Sequence, residues 1–250
     1  MEKSLKKNKI YLIFSNALIY FGILIWSVLA LPLGYSVLIV YRIKPTLKLR
    51  RRLYWMIHWY GKVILQIIRP WVPVAIPERK TLIQNAPCVV IANHQSMLDL
   101  FLFAAQEETN FCYVMKSWPL KLFFYAPFMR ALGYIIVDGL NLESFEDECQ
   151  TRLQEGISIV FFPEGTRSRD GSIGKFHSGA FRIACNADVP LVPILFENSG
   201  QVVPVGSLLF HPQILRMRFL DPLYPIDYKD NIYPHRKMMR DVRKMYISEI

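Results

Sequence analysis

From Ile10 to Tyr41 the chain carries no charged residue. As continuous helix such a stretch runs about 48 Å, whereas the hydrocarbon core of a bilayer is roughly 30 Å thick. It is too long for one upright span and too short for two spans with a turn. Leu31-Pro32-Leu33-Gly34 supplies a possible break in its middle. Lys3, Lys6, Lys7 and Lys9 precede the stretch, and Arg42, Lys44, Lys48, Arg50, Arg51 and Arg52 follow it. Because basic flanks are retained on the cytoplasmic side, the pattern favours a shallow re-entrant hairpin bent near Pro32. The other arrangement is one tilted span over Ile10–Leu31. A signal peptide would have a shorter apolar region, about 7–15 residues.

The charge is as uneven as the hydropathy. Of 30 Lys and Arg and 20 Asp and Glu, residues 1–80 hold 14 and 2, and residues 81–250 hold 16 and 18. A nucleic-acid-binding domain would carry its excess on a folded basic face. Here the excess flanks an apolar segment, which points to a membrane surface and not to nucleic acid. Residues 53–69 read as a further helix, with Trp55, Trp59 and Tyr60 suited to the headgroup level. Each of Arg50, Arg51 and Arg52 would gain about 1 kcal/mol near an anionic leaflet. His58, lone among aromatics, reads as structural. Residues 1–69 are thus expected to anchor the chain, and residues 70–250 to form a separate domain.

In that domain, short apolar runs alternate with helix-length segments. The runs are Cys88–Ala92, Phe111–Met115, Tyr134–Val137, Ile157–Phe162 and Leu191–Phe196. Between them lie Leu98–Ala105, Leu120–Leu132, Leu142–Gln154 and Phe176–Ala187, and a charged helix is expected over 235–250. The alternation predicts an α/β fold with a largely parallel central sheet flanked by helices. A hydrophobic share of 52% against 20% charged excludes a disordered chain. Cys88, Cys112, Cys149 and Cys185 are widely spaced with no C-x-x-C pair, which argues against a disulfide framework or zinc site and fits a reducing compartment.

Chemistry in such sheets gathers past the carboxyl ends of strands, where two polar clusters stand. The first is Asn93-His94-Gln95-Ser96-Met97-Leu98-Asp99. On one helix His94 and Asp99 would diverge by about 140°. They meet only if a turn intervenes. Such a pair can be structural. It can also fix the imidazole tautomer and leave one ring nitrogen free to take a proton. Ser96 has no G-x-S-x-G elbow around it, and His58, His177, His211 and His235 lack metal-ligand spacing. The second cluster is Phe161-Phe162-Pro163-Glu164-Gly165-Thr166-Arg167-Ser168-Arg169. Gly165 allows close backbone approach and Arg167 presents a fork suited to a phosphate monoester, although a solvated surface loop would read the same way. The Walker spacing is absent.

Taken together, N-H-Q-S-M-L-D at 93–99 and F-P-E-G-T-R-S at 162–168, with a step of 65 residues from Asp99 to Glu164, resemble the glycerolipid acyltransferase family, and within it the 1-acyl-glycerol-3-phosphate (lysophosphatidate) acyltransferases. Val189-Pro190-Leu191-Val192-Pro193 is similar to a further block, and the resemblance covers roughly residues 65–225. One block departs. Where the family has an approximate G-x-x-F-I-x-R, this chain has Gly133-Tyr134-Ile135-Ile136-Val137-Asp138-Gly139, with Gly139 in place of the Arg. Arg130, Arg169 or Lys175 could stand in for it. A basic residue is also common before the Gly that matches Gly179, and here Ser178 occupies that position near His177 and Lys175.

The resemblance implies transfer of a fatty acyl group from acyl-CoA or an acyl carrier protein to lysophosphatidic acid, giving phosphatidic acid, with no metal or bound cofactor. It implies His94 as general base, Asp99 as its partner, and Glu164, Gly165, Thr166 and Arg167 at the acceptor phosphate and glycerol, with Lys175 nearby. Removing the hydroxyl proton during attack on a thioester is a step worth about 10²- to 10⁴-fold. The expected partners are membrane lipids, the acyl donor and the lysolipid. The expected place is the cytoplasmic face of a membrane, a bacterial inner membrane ahead of the endoplasmic reticulum. Trp118–Met129 reads equally as an acyl groove, a lipid-resting surface or a core helix. Competing functions are a related transferase with another acceptor, such as glycerol 3-phosphate or a different lysophospholipid, and a non-catalytic protein that binds anionic lipid.

Overall fold

The computed structural model describes residues 9–76, 80–105 and 110–249; Lys3, Lys6, Lys7 and Ile250 lie outside them. Two long helices come first, α1 over Lys9–Ile43 and α2 over Leu47–Ile68. Then follow β1 (Val74–Ala75), α3 (Lys80–Asn85), β2 (Val89–Ala92), α4 (Leu98–Ala104), β3 (Phe111–Met115), α5 (Ala126–Ala131), β4 (Ile135–Ile136) and α6 (Leu142–Gln154). The chain continues through β5 (Ser158–Phe161), α7 (Gly179–Ala187), β6 (Leu191–Glu197), α8 (Ser199–Val202), β7 (Leu215–Phe219) and α9 (Pro234–Glu249).

The strands form one sheet in the order β1-β7-β6-β2-β5-β3-β4. Every pairing is parallel except β6 with β7. All four residues of β2 are buried, as expected of a central strand covered on both faces. One face, with Val90, Val160, Val192 and Ile194, packs against Leu65 and Ile68 of α2 and Leu98, Leu102 and Phe103 of α4. The other, with Val89, Ile91, Ile159 and Leu195, packs against Leu153 of α6, Phe181 of α7 and Met238, Val242 and Tyr246 of α9. Each fully buried Leu or Phe of these layers contributes about 1.5–3 kcal/mol by leaving water. The result is a helix–sheet–helix sandwich with a helical pair added on the α4 side.

That pair corrects the expectation of a bend at Pro32. Pro32 sits inside an unbroken 35-residue α1. The missing N–H removes a single intrahelical bond, and packing holds the region together. A Cβ on Gly34 would lie 3.0 Å from Phe128 Cζ, so the glycine serves close helix approach here and not a break. Reversal occurs instead at Lys44-Pro45-Thr46. The residue before a proline disfavours helix, and Thr46 restarts it as an extended N-cap whose Oγ1 accepts from Leu49 N at 3.3 Å. α2 then returns antiparallel to α1. Gly22 faces Ile67, Ser27 Oγ lies 2.8 Å from Tyr60 Oη, and Gly34 faces Met56.

α1 is tied to the sandwich at two points about 28 Å apart along its axis. Near its start Asn16 bonds to Phe210, and further on Tyr35 Oη donates to Phe124 O at 3.0 Å. Its other side is bare, with Ile10, Phe14, Phe21, Leu24 and Leu29 each at least 60% exposed. It is one helix, among the described residues, long and apolar enough to cross a membrane. On α2 the arginines divide. Arg50 turns inward to Glu155 at 3.1 Å, whereas Lys48, Arg51 and Arg52 line an open groove with Trp55. His58 is buried, its Nδ1 3.1 Å from Ala104 O.

The 118–129 segment is not one helix. A short 3-10 turn over Trp118–Lys121 precedes α5, and Phe123 between them is 79% exposed. Two strands had no counterpart in the sequence reading. β1 has only two residues, and β7 (LRMRF) alternates apolar residues with arginines that pair with Glu197.

Candidate active site

β2 delivers Asn93 and His94 past its carboxyl end, and the first turn of α4 delivers Asp99. The turn between them does what a continuous helix could not. His94 Nδ1 lies 2.8 Å from Asp99 Oδ2. The same oxygen accepts the N–H groups of Gln95 at 2.8 Å and Ser96 at 2.9 Å. Asp99 is fully buried and its Oδ1 has no partner. Three donors converging on Oδ2 make Nδ1 the N–H of the ring, so Nε2 is the free basic nitrogen. The His94 ring stacks on Phe162, centroids 4.1 Å apart at 25°, with its side chain 18% exposed.

Asn93 extends the sheet with its side chain. Its Nδ2 donates to Phe196 O at 2.9 Å and its Oδ1 accepts from Phe196 N at 2.7 Å, continuing the β2–β6 ladder to the residue before His94.

The loop after β5 closes the site. Gly165 takes a φ of +67°, which favours glycine, and its N–H donates to Phe162 O. Ser168 N donates to His94 O at 2.7 Å, placing this loop against the His94–Asp99 turn. Glu164 is buried, and both carboxylate oxygens receive backbone amides, Oε1 that of His94 at 3.0 Å and Oε2 that of Gly174 at 2.9 Å. Burial pushes its carboxyl above the usual range, and the two amides oppose the rise. Gly165 and Thr166 are exposed, Arg167 is half-buried and Lys175 is exposed. His177 borders Gly165, where a Cβ would come within 3.3 Å of its ring.

The two motifs therefore meet past the carboxyl ends of the adjacent central strands β2 and β5. Of the residues considered in place of the family arginine, Arg169 and Lys175 belong to this loop and Arg130 to α5. Gly139, at φ +87°, has open space where a side chain would begin. Sequence reasoning assigned no role to Phe162 or Asn93, although both stand in the motifs, and did not single out Gly174. Only Asn93 carried a signal, as an amide directly past a strand end. Burial pushes the Cys88 thiol up to about 11 and Cys112 up to about 12, so neither is a nucleophile near neutral pH. Among the described residues no three His, Cys, Asp or Glu side chains gather as a metal-ligand set.

The family model "Acyltransferase" matches residues 73–197. A chloroplastic 1-acyl-sn-glycerol-3-phosphate acyltransferase of Brassica napus is 33% identical over 172 residues, 63% of this chain and 49% of that one. A 1-acyl-sn-glycerol-3-phosphate acyltransferase of Pseudomonas aeruginosa is 30% identical over 139 residues, 54% of this chain and 53% of that one. The chain thus spans about half the length of these relatives. The crystal structure of the LPA acyltransferase PlsC from Thermotoga maritima superposes with a TM-score of 0.78, covering 96% of each chain at 23% identity, which is a likeness of fold.

Proposed function

The chain belongs to the acyltransferase family, and from that footing we propose that it transfers a fatty acyl group from a thioester donor to the free hydroxyl of lysophosphatidic acid. The observation that carries the reading is the orientation of His94, with Nδ1 bound to a buried carboxylate and Nε2 free beside the Thr166–Arg167 loop. Nε2 takes the hydroxyl proton as the acceptor oxygen attacks the thioester carbonyl. The C–O bond forms, the C–S bond breaks, and the imidazolium returns its proton to the departing thiolate. Asp99 steadies the cationic ring. Arg167, Thr166 and Lys175 hold the acceptor phosphate, with Gly165 allowing its approach. Glu164 is assigned to positioning, because both its oxygens already serve backbone amides.

We read residues 1–69 as an anchor that lies in the plane of the membrane on its cytoplasmic face. A helix tied to the sandwich at Asn16 and at Tyr35 has no freedom to stand upright. Its bare apolar side enters lipid, and Lys48, Arg51 and Arg52 meet anionic headgroups. The site then faces amphipathic acceptors where they reside.

The open space at Gly139 favours, as a second reading, a transferase that uses another glycerol-based acceptor. Thiol release is therefore measured on detergent-solubilised protein with acyl-CoA or acyl carrier protein. The acceptors are lysophosphatidic acid, glycerol 3-phosphate and other lysophospholipids. Lysophosphatidic acid is expected to give the largest stimulation. His94→Ala is expected to lower turnover by about 10²-fold or more without moving the thermal midpoint. Release with no donor–acceptor pair would leave a lipid-binding protein, and near-normal turnover in His94→Ala would remove the imidazole from the chemistry.

A further inference from the structure

The apolar surface of α1 is interrupted by one buried amide. Asn16 is 4% exposed, and its side chain makes three hydrogen bonds. Nδ2 donates to Leu12 O and to Phe210 O, each at 2.9 Å, and Oδ1 accepts from Phe210 N at 2.7 Å. One turn on, Tyr20 packs edge-on against the Phe210 ring and its hydroxyl donates to Leu208 O. A buried amide in an apolar helix is costly unless fully bonded, and here it grips the main chain of a single residue in the loop between α8 and β7.

The other side of that loop touches the catalytic turn. His211, next to Phe210, donates its N–H to Val202 O at 2.8 Å and closes the neck of the loop. Val203, next to Val202, accepts the Ser96 hydroxyl at 2.9 Å. Ser96 is fully buried, and its N–H is one of the donors that fix Asp99 Oδ2. Gly200 of α8 also abuts Gln95, where a Cβ would come within 3.1 Å. The membrane-side helix and the His94–Asp99 turn therefore bear on opposite sides of one closed loop.

We propose that Asn16 is a positioning residue. Through the 202–211 loop and Ser96 it couples the seating of α1 to the geometry of the His94–Asp99 pair. The kinetic arm of this proposal rests on the acyl-transfer reading above, while the coupling itself does not. When α1 is seated, Phe210 is held, the loop neck is fixed, and Ser96 keeps Asp99 aimed at His94. When α1 is unseated, that buttress loosens and turnover falls, although no substrate-binding group has changed.

The test is a double-mutant cycle on the full chain, with lysophosphatidic acid presented in vesicles. Asn16→Leu keeps the size and the apolar surface of α1 but cannot bond Phe210. Ser96→Ala cuts the opposite end. Asn16→Leu is expected to lower kcat about tenfold, with KM for the lysolipid and flotation with vesicles unchanged. The double variant is expected to be no slower than the slower single variant, because both changes break one linkage. In hydrogen exchange, Asn16→Leu is expected to speed exchange at 203–211 and at 95–99 but not at 111–115 in β3. Multiplying kcat losses, an unchanged kcat in Asn16→Leu, or loosening that stops at 208–211 would each overturn the coupling.

If Asn16→Leu loses exchange protection throughout, Tyr20→Phe replaces it in the cycle. That variant removes one hydroxyl at an exposed position, and a loss of about threefold in the same direction is expected. If the unmodified chain transfers no acyl group, the proposed function fails, and exchange alone then decides the coupling.

Discussion

At the scale of single residues, Glu164 carries the most exposed prediction. Its two oxygens hold the main chain of His94 and of Gly174. Glu164→Gln leaves one acceptor and turns an NH₂ toward an amide that needs one, so it should cost about 1.5–3 kcal/mol of stability and lower kcat. The raised carboxyl also sets two pH trends of opposite sign. As pH falls through its folded value, the proton removes an acceptor and activity declines. The folded protein holds that proton more tightly than the unfolded chain does. This group's contribution to stability is therefore largest at acid pH and is lost as pH rises through the folded value. Activity and denaturant midpoints measured across the acid range should show both trends, and Glu164→Gln should flatten both. Unchanged profiles in the variant would remove Glu164 from this role. The His94–Asp99 pairing was legible in the sequence, because a strand end followed by a helix start brings residues five apart together. The partners of Glu164 were not, because backbone amides leave no mark on side-chain spacing.

At the scale of elements, the contact of α2 with α4 joins the first two helices to the sandwich. A Cβ on Gly61 would lie 2.9 Å from Ala104 Cβ and 3.2 Å from Phe101 O, so no larger residue fits without separating the two helices. Gly61→Val should lower stability by about 1–3 kcal/mol, read as a fall in thermal midpoint, and an unaltered midpoint would show that the helices yield. The strands buried on both faces were legible as apolar runs. β7 was not, because its alternation of Leu, Met and Phe with Arg216 and Arg218 is that of a strand with one wet face, and its salt bridges involve distant residues. The turn at Lys44-Pro45-Thr46 was passed over because Pro32 and Gly34 carry the same breaker chemistry. Only the packing of Phe128 distinguishes a glycine that ends a helix from one that admits a neighbour.

At the scale of the whole molecule, the proposed anchor divides the basic residues of α2 between a folding contact, Arg50 with Glu155, and a groove lined by Lys48, Arg51 and Arg52. Arg50→Glu should lower thermal stability through the loss of Glu155 as a partner. Arg51→Glu with Arg52→Glu should leave stability unchanged and weaken association with anionic vesicles by about 1 kcal/mol or more per residue, read by flotation at fixed ionic strength. Equal effects of the two substitutions on vesicle binding would remove the division of labour. The two ties that hold α1 along the sandwich have a consequence for how such a protein meets its acceptor. With the helix unable to swing, the height of the imidazole relative to the lipid surface is set when the chain folds. On the proposed membrane-bound reading, encounters take place in two dimensions. The variable that governs rate is the mole fraction of acceptor in the leaflet, so diluting the vesicles in buffer should leave turnover unchanged while diluting the acceptor with inert lipid should slow it.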